Sequence, residues 1–205
     1  MLFLDHIAVA AGTLEQGCAF VERTLGVTVQ PGGQHPRFAT HNALLGLEDG
    51  LYLEVIAIDP DAPAPEDARW FDLDRFEGAP RLHNWICRTD DMTRALAQMP
   101  ARAGRPVALS RGDLRWQMAV PENGQLPYDE MCPALIEWQG AAHPAARLTP
   151  SGLRLDRLVI SHPDAPALEA ALSGLLRDPR LVFEPSELPG LRADFLTPNG
   201  PRSLT

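Results

Sequence analysis

Leu4-Asp5-His6-Ile7-Ala8-Val9, followed after a short loop by Thr13-Leu14-Glu15-Gln16, reads as a strand running into a capped helix. Thr13 and Gln16 make a capping-box pair, in which the threonine oxygen and the glutamine side chain satisfy orphan amides of the first turn. Leu14, Cys18, Val21 and Leu25 then recur at helical spacing, and Gly26 stands where the helix should stop. The phrase returns as Leu82-His83-Asn84-Trp85-Ile86-Cys87, with Asp91 as N-cap, an apolar stripe of Met92, Ala95, Leu96 and Met99, and Pro100 as terminator. It returns again as Leu155-Asp156-Arg157-Leu158-Val159-Ile160, with Asp164 before Leu168, Ala171, Leu172 and Leu175.

The strands after each helix recur as well. The first helix is succeeded by strand candidates at 27–30, 41–47 and 51–58, the last two separated by Glu48-Asp49-Gly50, whose Asp-Gly is a hairpin signal. After the second come 107–110, 114–120 and 134–139. The third copy is shortened, with strand candidates at 181–183 and 192–196. The reading is therefore an α+β fold of two βαβββ modules forming a cupped mixed sheet, with a partial third βα module at the C-terminus. The modules span 1–58 and 81–140, a Pro- and Asp-rich crossing segment occupies 59–80, and 141–205 packs in the same domain. One βαβββ unit leaves a concave face bare, so a second copy must shield it, and the space between is a natural ligand pocket.

The 205-residue chain has a net charge of −9, which argues against a nucleic-acid partner, since that would need clustered Lys and Arg. The Met1 end enters a strand pattern directly, without the features of a signal peptide. No apolar run is long enough to span a membrane. Cys18, Cys87 and Cys132 are odd in number and form no C-x-x-C pair, as expected of free thiols in a reducing cytoplasm. No G-x-S-x-G elbow or phosphate-binding glycine loop occurs. An incomplete third module leaves strand edges to cover, which suggests a homodimer.

Alternation along the strands selects the candidate site residues. Ile7 and Val9 should pack under the helix, which turns His6 into the cup. Glu54, embedded in Leu51-Tyr52-Leu53-Glu54-Val55-Ile56, needs a partner or access to the cup, because an unpaired buried charge is costly. Glu137 sits in the equivalent late strand of the second copy, in Leu135-Ile136-Glu137-Trp138. A histidine and two carboxylates converging on one face would suit a divalent metal. His35, Asn42, Tyr52 and Arg115 are expected as ligand contacts.

These segments, together with Pro31-Gly32-Gly33-Gln34-His35-Pro36 and Thr40-His41-Asn42-Ala43-Leu44-Leu45, resemble the glyoxalase-like branch of the vicinal-oxygen-chelate superfamily. The resemblance covers roughly Met1 to Pro144. Metal-binding members place ligands on the first and fourth strand of each module. His6, Glu54 and Glu137 match three of these places, and aligning the helix starts brings Asn84 to the remaining one. The resemblance implies an enzyme of the lyase, isomerase or dioxygenase sort acting on a small oxygenated or carbonyl-containing molecule. A divalent cation (Mg²⁺, Mn²⁺, Zn²⁺ or Fe²⁺) would then be held by His6, Glu54 and Glu137, with Glu54 or Glu137 as the catalytic proton carrier and Asn84 among the substrate contacts. The alternative is a metal-free module of the same fold that binds a small molecule, which the asparagine at position 84 favours.

Overall fold

The strand–helix phrase folds as read. The computed structural model describes residues 1–100 and 103–205. The first copy comprises β1 (Phe3–Ala10), α1 (Leu14–Leu25), β2 (Gln30–His35), β3 (Thr40–Gly46) and β4 (Tyr52–Ile58). Thr13 Oγ1 accepts the amide of Gln16, and Gly26 closes α1 in the left-handed conformation at φ 72°. Asp49 and Gly50 both take positive φ in the β3–β4 hairpin, the geometry an Asp-Gly pair supplies at least cost. The second copy comprises β5 (Arg81–Arg88), α2 (Met92–Leu96), β6 (Arg105–Arg111), β7 (Leu114–Val120) and β8 (Ala134–Trp138).

Together they build an eight-stranded sheet in the order β2-β3-β4-β1-β5-β8-β7-β6. The order is symmetric about the antiparallel β1·β5 pair, and each copy adds its fourth strand parallel to its first. This is the α+β, paired-module architecture expected. The sheet curls until its edges nearly meet: a Cβ on Gly33 of β2 would lie 2.7 Å from Cδ of Arg111 on β6. Strand β2 begins later than the sequence suggests, running through Pro31-Gly32-Gly33 rather than ending before it. Proline is tolerated on an edge strand, and the register slips between Pro31 and Gln34, so these residues form a bulge.

The C-terminal region differs from the expected partial module. It holds β9 (Arg154–His162), α3 (Ala165–Leu172), β10 (Leu181–Pro185), β11 (Gly190–Thr197) and β12 (Gly200–Leu204). The element order is again βαβββ, but the strands form their own four-stranded sheet in the order β10-β9-β11-β12. This sheet pairs within its own chain and covers the convex, helix-bearing side of the large sheet. Phe195, Leu158 and Ile160 share one apolar core with Val21, Val9, Trp85 and Leu135. Leu82 N–H donates to Thr205 O at 3.1 Å, and Leu2 N–H to Leu175 O at 2.8 Å, tying the two layers at backbone level. A second apolar cluster lies in the cup, where Ala8, Ile56, Ile86 and Ile136 meet Phe38, Trp70 and Trp116. Both faces of the central sheet are therefore apolar. No helix among the described residues is long and apolar enough to cross a membrane.

Helix α1 lies close on β4 because Gly17 has no side chain: a Cβ there would fall 2.5 Å from Val55 Cγ1 and 2.9 Å from Ala11 Cβ. Gly17→Val is expected to destabilise the fold by roughly 1–3 kcal/mol, the usual cost of overpacking, as a lower denaturant midpoint without change in the slope of the transition. An unchanged midpoint would show that the helix can lift without cost.

Candidate functional site

Strand β1 supplies the centre of the site through an irregularity. Its register against β5 shifts between Leu4 and His6, which frees Asp5 from strict alternation. Asp5 is fully buried and does not turn under the helix with Ile7 and Val9, where alternation alone would put it. Its Oδ1 accepts from His6 Nδ1 at 2.7 Å. Its Oδ2 accepts from Trp138 Nε1 at 3.2 Å and from His143 Nε2 at 3.0 Å. The His143 tautomer follows from its other nitrogen, because Nδ1 accepts the amide of Ala145 and the proton therefore resides on Nε2.

On the far side of the His6 ring, Nε2 lies 3.6 Å from Glu54 Oε2. The parallel pairing of β1 with β4 sets Tyr52 opposite His6, and the two rings stack with centroids 4.3 Å apart. Glu54 Oε1 accepts from Asn42 Nδ2 at 2.6 Å. The Asn42 carbonyl in turn accepts from the Gly33 amide at 2.8 Å and from Arg111 Nη1 at 3.1 Å. A Cβ on Gly32 would collide with Asn42 Oδ1, so the bulge glycines are what let Asn42 and Arg111 close over β2. Arg111 Nη1 also donates to His35 Nε2 at 3.2 Å, which leaves the His35 proton on Nδ1, facing Thr40 Oγ1 at 3.1 Å. A continuous polar chain thus runs from Arg111 through Asn42, Glu54 and His6 to Asp5.

Its electrostatics are set by burial against pairing. Burial disfavours the charged His6 ring, but the hydrogen bonds and charges of Asp5 and Glu54 outweigh it and raise His6 to about 9. Burial would raise Glu54, yet the His6 hydrogen bond and charge, helped by His35 and Asn42, bring it down to about 2. Asp5, opposed in the same way by burial, is held well below the usual carboxylate range by His143 and His6. For His35 burial outweighs the nearby Glu54 charge and, with Arg111 adding to it, lowers the ring to about 4 and leaves it neutral. At neutral pH the site holds an imidazolium between two carboxylates.

These groups open on a narrow cavity inside the cup, with a volume of about 30 Å³. One wall is polar, with His6, His35, Asn42, Glu54 and Arg111; the other is built from Trp70, Phe71, Trp116, Met118, Ile136 and Trp138. Tyr52 lies beside His6 and Pro144 helps close the top. Of the expected contacts, His6, His35, Asn42, Tyr52 and Glu54 meet here.

Three other candidates lie elsewhere. Ile136 and Trp138 take the cup side of β8, so Glu137 points to the opposite face, where its Oε2 accepts the Met92 amide at 2.7 Å and caps α2. Trp116 and Met118 take the cup side of β7 in the same way, and Arg115 instead bonds the carbonyls of Gly112 and Leu114. Asn84 is buried outside the cavity, donating to Glu130 Oε2 at 3.0 Å. Burial raises Glu130 to about 7 despite its bonds to the Leu126 amide and Asn84. His83 is the extra residue in the shift of β5 opposite Ala8 and Val9, and it bonds the Phe71 carbonyl at 3.0 Å.

The repeat explains why the second copy contributes no donor. The central pair Ile7↔Trp85 makes Ile86 the counterpart of Ala8, and Ile86 pairs with Ala134 as Ala8 pairs with Glu54. Asn84 and Ala134 therefore occupy the positions that His6 and Glu54 hold in the first copy. Among the described residues no group of three or more His, Cys, Asp or Glu side chains is placed to hold a metal ion. A shared ion needs ligand bonds of roughly 2 Å from three or more groups. His35 already gives its Nε2 lone pair to Arg111, and His6 and Glu54 face an apolar wall, so the donor set does not fit a protein-ligated metal centre.

A curled sheet of paired βαβββ modules around a central cup defines the vicinal-oxygen-chelate class of fold. The chain belongs to the glyoxalase-like domain family, which matches residues 4–176. No match is found among curated proteins. A hypothetical protein from Staphylococcus aureus shares the fold at 14% identity and a TM-score of 0.59, over 97% of this chain and 82% of its own. Methylmalonyl-CoA epimerase from Mycobacterium tuberculosis aligns at 19% identity and a TM-score of 0.43, over 70% of this chain and 91% of its own. A hypothetical protein from Bacillus halodurans aligns at 15% identity and a TM-score of 0.45, over 69% and 96%.

The raised His6 makes stability pH-dependent with a definite sign. The folded state keeps a proton that the unfolded chain releases near 6.5, so His6 contributes its full stabilisation below about 6.5 and loses it as pH rises through about 9. Denaturant unfolding of the native protein should show stability falling across that window, and His6→Gln should remove that component. A native curve with no such decline would show that the ring is neutral.

Proposed function

We propose that the protein is a metal-independent acid–base enzyme of the glyoxalase-like family, acting on a small carbonyl-containing molecule held in the cup. The observation that carries this reading is the Asp5–His6–Glu54 chain, of which His6 and Glu54 line the cavity beside Arg111. A carbonyl compound seated against this wall presents a C–H next to its C=O to Glu54. The Glu54 carboxylate takes that proton, the C–H pair becomes a C=C bond, and the carbonyl oxygen receives the negative charge. The His6 N–H and the Arg111 guanidinium are the donors that stabilise this enolate. Return of the proton to carbon completes an isomerisation or exchange. Asp5 does not touch substrate; it holds the His6 ring in place and keeps it charged, as a positioning residue. Trp116, Trp138 and Phe71 keep water out.

The metal-free binding reading keeps one specific support. Both oxygens of Glu54 already have partners, and its lowered pKa makes it a weak base. In that reading the same wall recognises a ligand without turning it over.

The test is incubation of small ketones and 2-oxo acids with the protein in D2O, followed by proton NMR. Deuterium should enter the carbon next to the carbonyl with wild type, persist after exhaustive EDTA treatment, and slow by about 10²–10⁴-fold in Glu54→Gln, the usual weight of a general base. Binding of the same compounds without any exchange would favour the receptor reading. Exchange abolished by EDTA would refute metal independence.

A further inference from the structure

Trp70 belongs to the crossing segment between the two copies, where Phe38 and Phe71 stack against its ring at 4.4 and 5.4 Å. The residue is 4% exposed and lines the cavity, yet its indole Nε1–H meets no acceptor among the described residues. Of the four tryptophans, Trp85 and Trp138 are satisfied, by the Met131 carbonyl and by Asp5. A buried indole N–H without a partner loses a hydrogen bond it would have had with water, so a tryptophan kept in this state points to an acceptor that arrives from outside.

The neighbour of Trp70 narrows the chemistry. The His35 ring meets Trp70 edge-on at 5.0 Å, and its Nε2 accepts from Arg111 Nη1 at 3.2 Å. His35 thus stands between Trp70 and Arg111, neutral because burial holds its pKa near 4. The protein contacts of Arg111 use Nη1 alone, to Asn42 and His35, and a guanidinium carries five N–H donors. Arg111 lines the same cavity as Trp70. The balance of charge agrees: Asp5 and Glu54 flank His6, while among the described residues no carboxylate bonds Arg111.

We infer that Trp70 and Arg111, on either side of His35, form a subsite that receives the carboxylate of the substrate. The inference rests on the proposed carbonyl chemistry of this cup and narrows its substrate class to small 2-oxo or related carbonyl acids, with the carbonyl end at Glu54 and His6, the acid end at Trp70, and Arg111 donating to both.

The experiment uses benzoylformate as probe and benzyl alcohol as an uncharged ring of similar size, both titrated into ¹⁵N-labelled full-length protein. Trp70→Phe identifies the Trp70 indole resonance by its loss. Benzoylformate should move that indole proton downfield while leaving Trp85 in place, and benzyl alcohol should not. Trp70→Phe keeps an aromatic ring and removes the donor, so it should weaken benzoylformate about tenfold or more, the usual weight of a hydrogen bond to a charged group. Arg111→Gln should weaken it similarly, and neither should alter benzyl alcohol binding. An indole resonance that ignores benzoylformate, or equal losses for both probes, would overturn the subsite. Deuterium exchange that still depends on Glu54 would then leave the catalytic reading standing, and its absence with a responsive Trp70 would do the reverse.

Discussion

An imidazole ring held between two carboxylates inside an apolar cup is the interaction around which the rest of the site is arranged. His6 and Glu54 are 5% and 6% exposed and Asp5 is fully buried, so each charge has given up its water. Removing one member of such a set leaves an uncompensated buried charge, at a cost of roughly 3–5 kcal/mol. The surrounding structure is therefore committed to satisfying every oxygen. Asp5 receives three donors, and Glu54 receives Asn42 as well as His6. Asn42 needs Gly32 and Gly33 without side chains, and Arg111 reaches across from the opposite sheet edge to hold Asn42. The curl of the sheet and the composition of its β2 bulge both answer to that requirement.

Duplication built the cup, and divergence made it one-sided. Each copy contributes a first strand and a fourth strand in parallel, but only the first copy has acid and imidazole at the matched positions. In the second, Asn84 and Ala134 stand there, Ile136, Trp116 and Met118 give an apolar wall, and Glu137 serves helix α2. A pocket with one charged wall and one aromatic wall suits an asymmetric ligand, polar on one edge and flat on its body. The third unit repeats the element order with a different strand order and has become the cover for the convex face, where Phe195 and Leu158 complete the core that α1 and α2 leave open.

The architecture was legible because each phrase carried agreeing signals, a capping residue and a 3.6-residue stripe followed by strands, with a helix stop in the first two copies and an Asp-Gly turn in the first. His6, Tyr52 and Glu54 were legible because β4 alternates cleanly and Ile7 and Val9 are obvious helix-side residues in β1. Glu137 and Arg115 misled for a physical reason. Both faces of the central sheet are apolar, so the side of β7 or β8 that is more hydrophobic does not reveal which side lines the cup. Asp5 was hidden by a register shift in β1, which no local pattern announces. Arg111 was hidden by its place at the very end of β6, next to Gly112, and His143 by lying in a wrapping loop. Trp70 lies in the crossing segment, and what sets it apart is an unpaired N–H, which no sequence pattern carries.

The charge state of His6 decides between this account and any in which the cup holds a neutral imidazole. Nitrogen-15 NMR of histidine-labelled native protein reports it directly. Protons on both ring nitrogens of His6 at pH 7.5, persisting until the ring titrates near 9, are the expected result. A ring with one bare nitrogen at pH 7.5, titrating at or below the ordinary histidine value of about 6.5, would contradict it.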